Sequence, residues 1–278
     1  YLSLAIGELQ SLILLFIYYK NLTKKLPVST KKPERASQLL FNVLIIALPL
    51  CLNGFLGNLF GTAATLLVPR RLVSAGFDTV TALGMIGKFT GMALTIVTFP
   101  MIVIMSINSL IVPDLSETIS RRDYYNASVR IKKVMKIAFL LGLATTVICN
   151  LIPHSLGEMF YGRDDLGNYI KIASLSAPIF FTASTMFGIL NGLNKQGIIL
   201  RNSLIVSSIE IVCLFIFIGI PGVNIMGYGI TLFITSSISL FINLREVQKH
   251  IYLDLSISNI IIFILLSILI YFILNGLT

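Results

Sequence analysis

Three ionisable side chains fall inside apolar stretches of this chain: Glu8, Lys88 and Glu210. A charge at a lipid-facing midplane costs roughly 2.5–3.5 kcal/mol, so each is expected to face protein or water. Lys88 has the richest setting. Thr81, Gly84, Lys88, Gly91, Thr95 and Thr98 recur at steps of three and four, which places them on one helical face. That face is small and polar and suits the lining of a cavity. The alternative is a lysine near the outer end of its helix that snorkels to the interface. Glu210 shares a face with Ser203 and Ser207 near the middle of its run. It reads either as a site for a proton or cation, or as half of a structural ion pair. Glu8 favours neither reading.

Catalytic patterns are missing: there is no HExxH, no GxSxG and no Walker loop. The chain is therefore expected not to be an enzyme, and neither cofactor nor metal is expected. Asp164 and Asp165 are adjacent, and carboxylates so placed in a turn are expected to be simply solvated. Transport, without an ATP site, would draw on an ion gradient, the membrane potential or the gradient of the substrate itself. Cys51, Cys149 and Cys213 all lie in apolar runs, where a thiol packs as a small apolar group. Gly87–Gly91 and Gly188–Gly192 have the GxxxG spacing of closely packed membrane helices.

The elements that must hold these residues are continuous apolar runs. Hydrophobic residues make up 56% of the chain and charged ones 12%, with a mean hydropathy of +0.91. A water-soluble domain does not have that composition. Runs near Leu2–Tyr19, Leu39–Val68, Thr79–Val112, Val134–Ile152, Tyr169–Leu193, Ile198–Ile220, Ile225–Leu244 and Ile257–Leu274 predict about eight transmembrane helices. The fold class is all-α, a polytopic membrane bundle; β-barrel strands would be short and alternating. Pro49 and Pro100 predict kinks in the second and third runs.

Basic residues alternate between the gaps. Sixteen of the 21 lysines and arginines fall in one set, which includes Lys20–Arg35, Arg121–Lys136, Lys195, Arg201, Arg245 and Lys249. Only Arg70, Arg71, Arg163 and Lys171 lie in the other set or at its edges. Basic flanks stay cytoplasmic, so the first set is expected inside and both Tyr1 and Thr278 outside. The net charge of +9 thus reports topology. A nucleic-acid partner is not expected, whereas anionic lipid heads suit such flanks. Asp114 and Ser116 predict the cap of a basic helix over Pro113–Lys136, lying on the membrane face or acting as a solvated connector. The chain begins in mid-run and ends just after another, as a piece of a larger protein would.

Several stretches resemble the stage V sporulation protein B family. They are Leu66-Leu67-Val68-Pro69-Arg70-Arg71-Leu72, Gly87-Lys88-Phe89-Thr90-Gly91-Met92-Ala93 and Leu110-Ile111-Val112-Pro113-Asp114-Leu115-Ser116-Glu117. Phe160-Tyr161-Gly162-Arg163 and the run from Phe187 to Gln196 are similar to the family too. The resemblance covers roughly Leu39 to Val247. It implies the fold of the multidrug/oligosaccharidyl-lipid/polysaccharide superfamily: two six-helix lobes around a cavity that opens alternately to each side. Residues 38–247 would be the second lobe, 1–37 the last helix of the first lobe plus a basic linker, and 248–278 an additional helix.

The function implied is a cell-membrane flippase for a polyprenyl-pyrophosphate-linked saccharide, such as a peptidoglycan precursor for spore cortex or cell wall. Lys88, Arg70 and Arg71 would bind the phosphates, with Thr81, Gly84, Gly91 and Thr95 lining the cavity; the arginine pair also fits plain interface anchoring. A cation-coupled drug or metabolite antiporter of the same architecture would depend on Glu210. A non-transporting scaffold would instead recruit cell-wall synthesis enzymes through the basic Arg121–Lys136 segment.

Overall fold

The computed structural model describes residues 2–24, 35–254 and 257–276, and among these every regular element is a helix. They fall into two compact units divided between Leu44 and Ile45. The first contains α1 (Leu2–Thr23) and the opening turns of α2 (Ala36–Ser74), whose described side chains are exposed.

The second unit holds the rest of α2, then α3 (Thr79–Ile86), a π-helical segment (Gly87–Ala93), α4 (Leu94–Thr98) and α5 (Met101–Ser120). It continues with α6 (Tyr124–Leu151), α7 (Pro153–Tyr161), α8 (Gly167–Ser174), α9 (Ala177–Gly192), α10 (Gln196–Ile218), α11 (Met226–Gln248) and α12 (Ile257–Asn275). Among the described residues, six stretches are long and apolar enough to cross a membrane, with Thr79–Thr98 and Met101–Ser120 counted separately, or seven if the bent pair α8–α9 counts as one. This is a multi-pass membrane protein.

Two runs expected to be single helices are broken, and proline explains both. Pro100 has no N–H to donate to the Ile96 carbonyl, which accepts from Phe99 instead (3.3 Å), separating α4 from α5. Pro178 likewise leaves the Ser174 carbonyl free, and Thr146 Oγ1 on α6 donates to it (2.8 Å). The α8–α9 axis bends by 53° there.

The two bent paths lie side by side and run in the same direction. Phe89 meets Tyr169 edge-on at 6.4 Å, Asn108 Nδ2 donates to the Ser184 carbonyl (3.1 Å), and Ser116 Oγ donates to that of Gly192 (3.1 Å). Phe89–Ser116 is thus matched in step with Tyr169–Gly192.

Helix α9 is the hub, touching α5, α6, α10 and α11. A helix apolar on all sides belongs in the middle, and Phe181, Met186, Ile189 and Leu190 are fully buried. Lipid is as apolar as leucine, so close packing and hydrogen bonds hold such helices together. Gly188 and Gly192 supply the close approach: a Cβ on Gly188 would lie 2.7 Å from Asn108 Oδ1, and one on Gly192 2.8 Å from Leu115 Cβ. The other GxxxG pair, expected to pack likewise, does not: Gly87 and Gly91 face open space.

The Pro113–Lys136 segment also differs from expectation. Pro113 lies within α5, and the chain turns at Arg121–Asp123, with Arg122 at φ 60° and Asp123 capping α6 by accepting from Asn126 N. Asp114 instead pairs with Arg130 across this turn. Ile131 and Val134 are buried against α9, so their apolar face meets protein and not the membrane surface.

Candidate functional site

Lys88 sits in the π-helical segment. Phe89, Ala93, Ile96 and Val97 form the buried face there, while Thr81, Gly84, Gly91 and Thr95 are exposed and Lys88 is half-buried. The expected stripe therefore shares the side turned away from the core. Its lysine, however, is level with the loop between α7 and α8: Nζ lies 2.7 Å from Asp165 Oδ2. Arg163 Nη2 holds the same oxygen at 2.8 Å. The Arg163 guanidinium, and then the Lys88 ammonium, hold the Asp165 carboxyl well below the usual carboxylate range.

Gly162, at φ 61°, ends α7 in a left-handed turn that aims Arg163 and Asp165 at Lys88. Tyr161 donates its hydroxyl to the Gly91 carbonyl (3.3 Å). Asp164 is paired as well. His154 Nδ1 lies 2.7 Å from its carboxylate and 3.0 Å from its backbone carbonyl, contacts that raise the imidazole above its ordinary pKa. Neither aspartate is merely solvated, which corrects the expectation from sequence; a lysine 77 positions away gave no sign of itself in the local pattern.

Arg70 is exposed near the end of α2. Arg71 is occupied: its guanidinium stacks on Phe215 at 4.0 Å, and Nε donates to the Phe215 carbonyl (2.9 Å). It ties the end of α2 to α10.

Glu210 stands elsewhere. It lines a cavity of about 320 Å³ between α9, α10 and α11, together with Ser184, Ser203, Thr235, Ser236, Ser239 and Asn243. Ser203 shares this space as expected from its spacing, but Ser207 is not among the lining residues. No hydrogen bond or ion pair joins Glu210 to another described residue. Lys88, Arg70 and Arg71 do not line this cavity, so the anticipated phosphate ligands and the anticipated coupling carboxylate occupy separate places. Glu8 is exposed on α1. Among the described residues no three His, Cys, Asp or Glu side chains converge as metal ligands would.

Sequence reasoning passed over the far end of the cavity. Asn243 Nδ2 donates to Ser239 Oγ (3.2 Å), and Asn202 Nδ2 donates to Asn243 Oδ1 (2.9 Å). Arg201 donates to Asn202 Oδ1 (3.1 Å) and to Glu246 Oε1 (2.6 Å), which also accepts from Lys249 (3.0 Å). The signal was present in two asparagines within apolar runs, a residue type that membrane helices keep only with a partner.

The chain is 27% identical over 233 residues to the stage V sporulation protein B of Bacillus subtilis (strain 168), a match covering 83% of this chain and 45% of that protein. The resemblance read from the motifs stands. A solved structure, the outward-facing conformation of a multidrug resistance MATE family transporter of the MOP superfamily, superposes with a TM-score of 0.61. Identity there is 18%, over 82% of this chain and 51% of the other, and the match shows the fold. The chain spans about half the length of both relatives. No family model matches it.

Proposed function

We propose that this chain is the second lobe of a cell-membrane transporter that flips a polyprenyl-pyrophosphate-linked saccharide outward for spore cortex or cell-wall synthesis. The observation that carries the reading is the similarity to the stage V sporulation protein B along most of the chain, joined to a transporter fold. Residues 38–247 form the lobe, 1–37 bring the last helix of a first lobe with its linker, and 248–278 add a helix. The gaps rich in lysine and arginine are cytoplasmic; Lys25, Lys31 and Lys32 and the terminal residues Tyr1 and Thr278 lie outside the described residues.

Lys88 is the leading phosphate ligand, with Arg70 free to assist. A pyrophosphate would displace Asp165 from Lys88, replacing one exchangeable ion pair by a charge-assisted contact. Arg71 contributes by positioning α2 and not by contact. The test is complementation of a deletion strain by the complete protein, scored for cortex with membrane abundance checked by blotting. Lys88→Arg should retain more activity than Lys88→Ala. Normal cortex from Lys88→Glu at wild-type abundance would exclude the role.

Cation-coupled antiport is the second reading, favoured by the cavity around Glu210. A carboxylate without a basic partner inside a membrane is where a coupling ion would bind. The two readings are compatible: an ion gradient could drive the flipping of a lipid.

A further inference from the structure

The hydrogen-bonded file below the Glu210 cavity leads somewhere. Along α10, Glu210 lies about 21 Å above Gln196, the end of the helix near the basic residues. Ser203, Ser239 and Asn243 cover the upper part of that distance, Asn202 the next step, and Arg201 with Glu246 the mouth. Asn202 is 2% exposed, yet both ends of its amide are engaged, the oxygen by Arg201 and the nitrogen by Asn243. A buried amide between two helices needs such partners, and two stacked amides and a serine hydroxyl offer water both donors and acceptors. Glu246 is only 8% exposed, and Arg201 and Lys249 converge on it.

We propose that this file is a water-filled access route between the cytoplasm and Glu210, that its cargo is a proton, and that Glu246 is its gate. The inference rests on the reading of Glu210 as a coupling site and adds its sidedness and control. The chemistry is one reversible transfer: water entering by the file delivers a proton to a Glu210 carboxylate oxygen and later carries it away. The groups that face Glu210 fit this role. Helix α9 brings no charged side chain, α11 brings Tyr228, and Cys213 lies on α10 itself. One carboxylate among neutral hydroxyls and amides suits a proton better than a metal ion, which would gather several anionic ligands. At the mouth, Arg201 spans Asn202 and Glu246. Releasing Glu246 would free the guanidinium to swing off the Asn202 carbonyl and open the file.

The test uses the complete protein with Cys51, Cys149 and Cys213 replaced, in a background that still complements. Ser239→Cys is exposed to a membrane-impermeant thiol reagent in inside-out vesicles and in intact cells. Labelling is expected from the cytoplasmic face alone, and Glu246→Gln or Arg201→Gln should speed it by about tenfold, the scale of losing one hydrogen bond to a charged group. Labelling only from outside, labelling from neither face, or rates indifferent to both gate variants would overturn the route. Slowing by sodium at constant ionic strength would overturn the proton as cargo. Glu210→Gln is scored separately for complementation. Its failure to complement with Ser239→Cys unlabelled would refute the route but keep the coupling site, whereas full complementation would remove the coupling site and the route with it.

Discussion

Lys88 and Glu210 look alike in the sequence, each a lone charge in an apolar run, yet the structure treats them in opposite ways. Lys88 lies at the level of the α7–α8 loop and has a partner, Asp165 at 2.7 Å. Glu210 lies between α9, α10 and α11, beside a cavity and without an ion pair. The difference teaches that a charge in an apolar run can be satisfied by reaching its end, or left unsatisfied so that something else must bind. The first is cheap to make and to break, since exposed pairs contribute roughly 0–1 kcal/mol. The second persists only for a purpose or by compensation elsewhere.

The largest effect that tests this contrast is functional. Glu210→Gln should nearly abolish complementation at normal abundance, because it removes the only described carboxylate on the cavity lining. An active Glu210→Gln would erase the distinction between the two sites.

Lys88 sharpens the comparison next. Lys88→Ala should lower cortex formation with little loss of protein, given the modest worth of its ion pair. Asp165→Asn should affect function less than Lys88→Ala, since substrate and not Asp165 is the proposed partner. If Asp165→Asn is as damaging, the pair is structural and the ligand role falls.

The two GxxxG motifs extend the same contrast to packing. Gly192→Leu should destabilise the bundle by about 1–3 kcal/mol, the usual range for overpacking, because its side chain would meet Leu115 and the Val112 carbonyl. Gly91→Ala should stay within about 0.5 kcal/mol, as nothing stands within 4 Å of its Cβ. Thermal unfolding in detergent would measure both.

The smallest effect is a pH dependence of the α7–α8 loop. His154 has a raised pKa, so the order it lends is complete below its ordinary value of 6.5 and is lost as pH climbs through the raised one. Asp165 has a lowered pKa, so its contribution is present above its ordinary value of 3.8 and fades only in stronger acid. Hydrogen exchange of residues 162–166 should therefore speed up as pH rises above 6.5 and through the raised value, after correction for intrinsic rates, and His154→Gln should flatten that rise. An unchanged profile in the variant would remove His154 from the account.

Much of the fold was legible because membrane helices declare themselves by length and composition. The long apolar helices, the break at Pro100 and the closeness of Gly188 and Gly192 to a neighbour all follow from local rules, and of about eight runs expected to cross a membrane six or seven qualify among the described residues. Partnerships across the chain were not legible. No local pattern links Lys88 to Asp165, Asp114 to Arg130 or Asn202 to Asn243, since each depends on how separate helices are set side by side. The mistaken reading of Gly87–Gly91 has the same origin: small residues permit a close approach but do not supply the helix that makes it. The Pro113–Lys136 segment misled because an amphipathic face looks the same whether it meets lipid heads or, as here, α9.

The π-helical segment at Gly87–Ala93 sets a limit on how its helix can be edited. A π turn holds one residue more than the α-helix around it. Here the chain could lose a single residue and close into regular α-helix without a break. The π turn sweeps about the same angle as an α turn but with one residue more, so the parts before and after such a deletion would keep their facing. Asp78 and Thr81 would hold their places on one side of the segment, and Met101 and Asn108 theirs beside α9 on the other. A deletion in the regular α-helix on either side would instead turn one part against the other by about 100°, so the surplus residue is slack that only this one turn can give up.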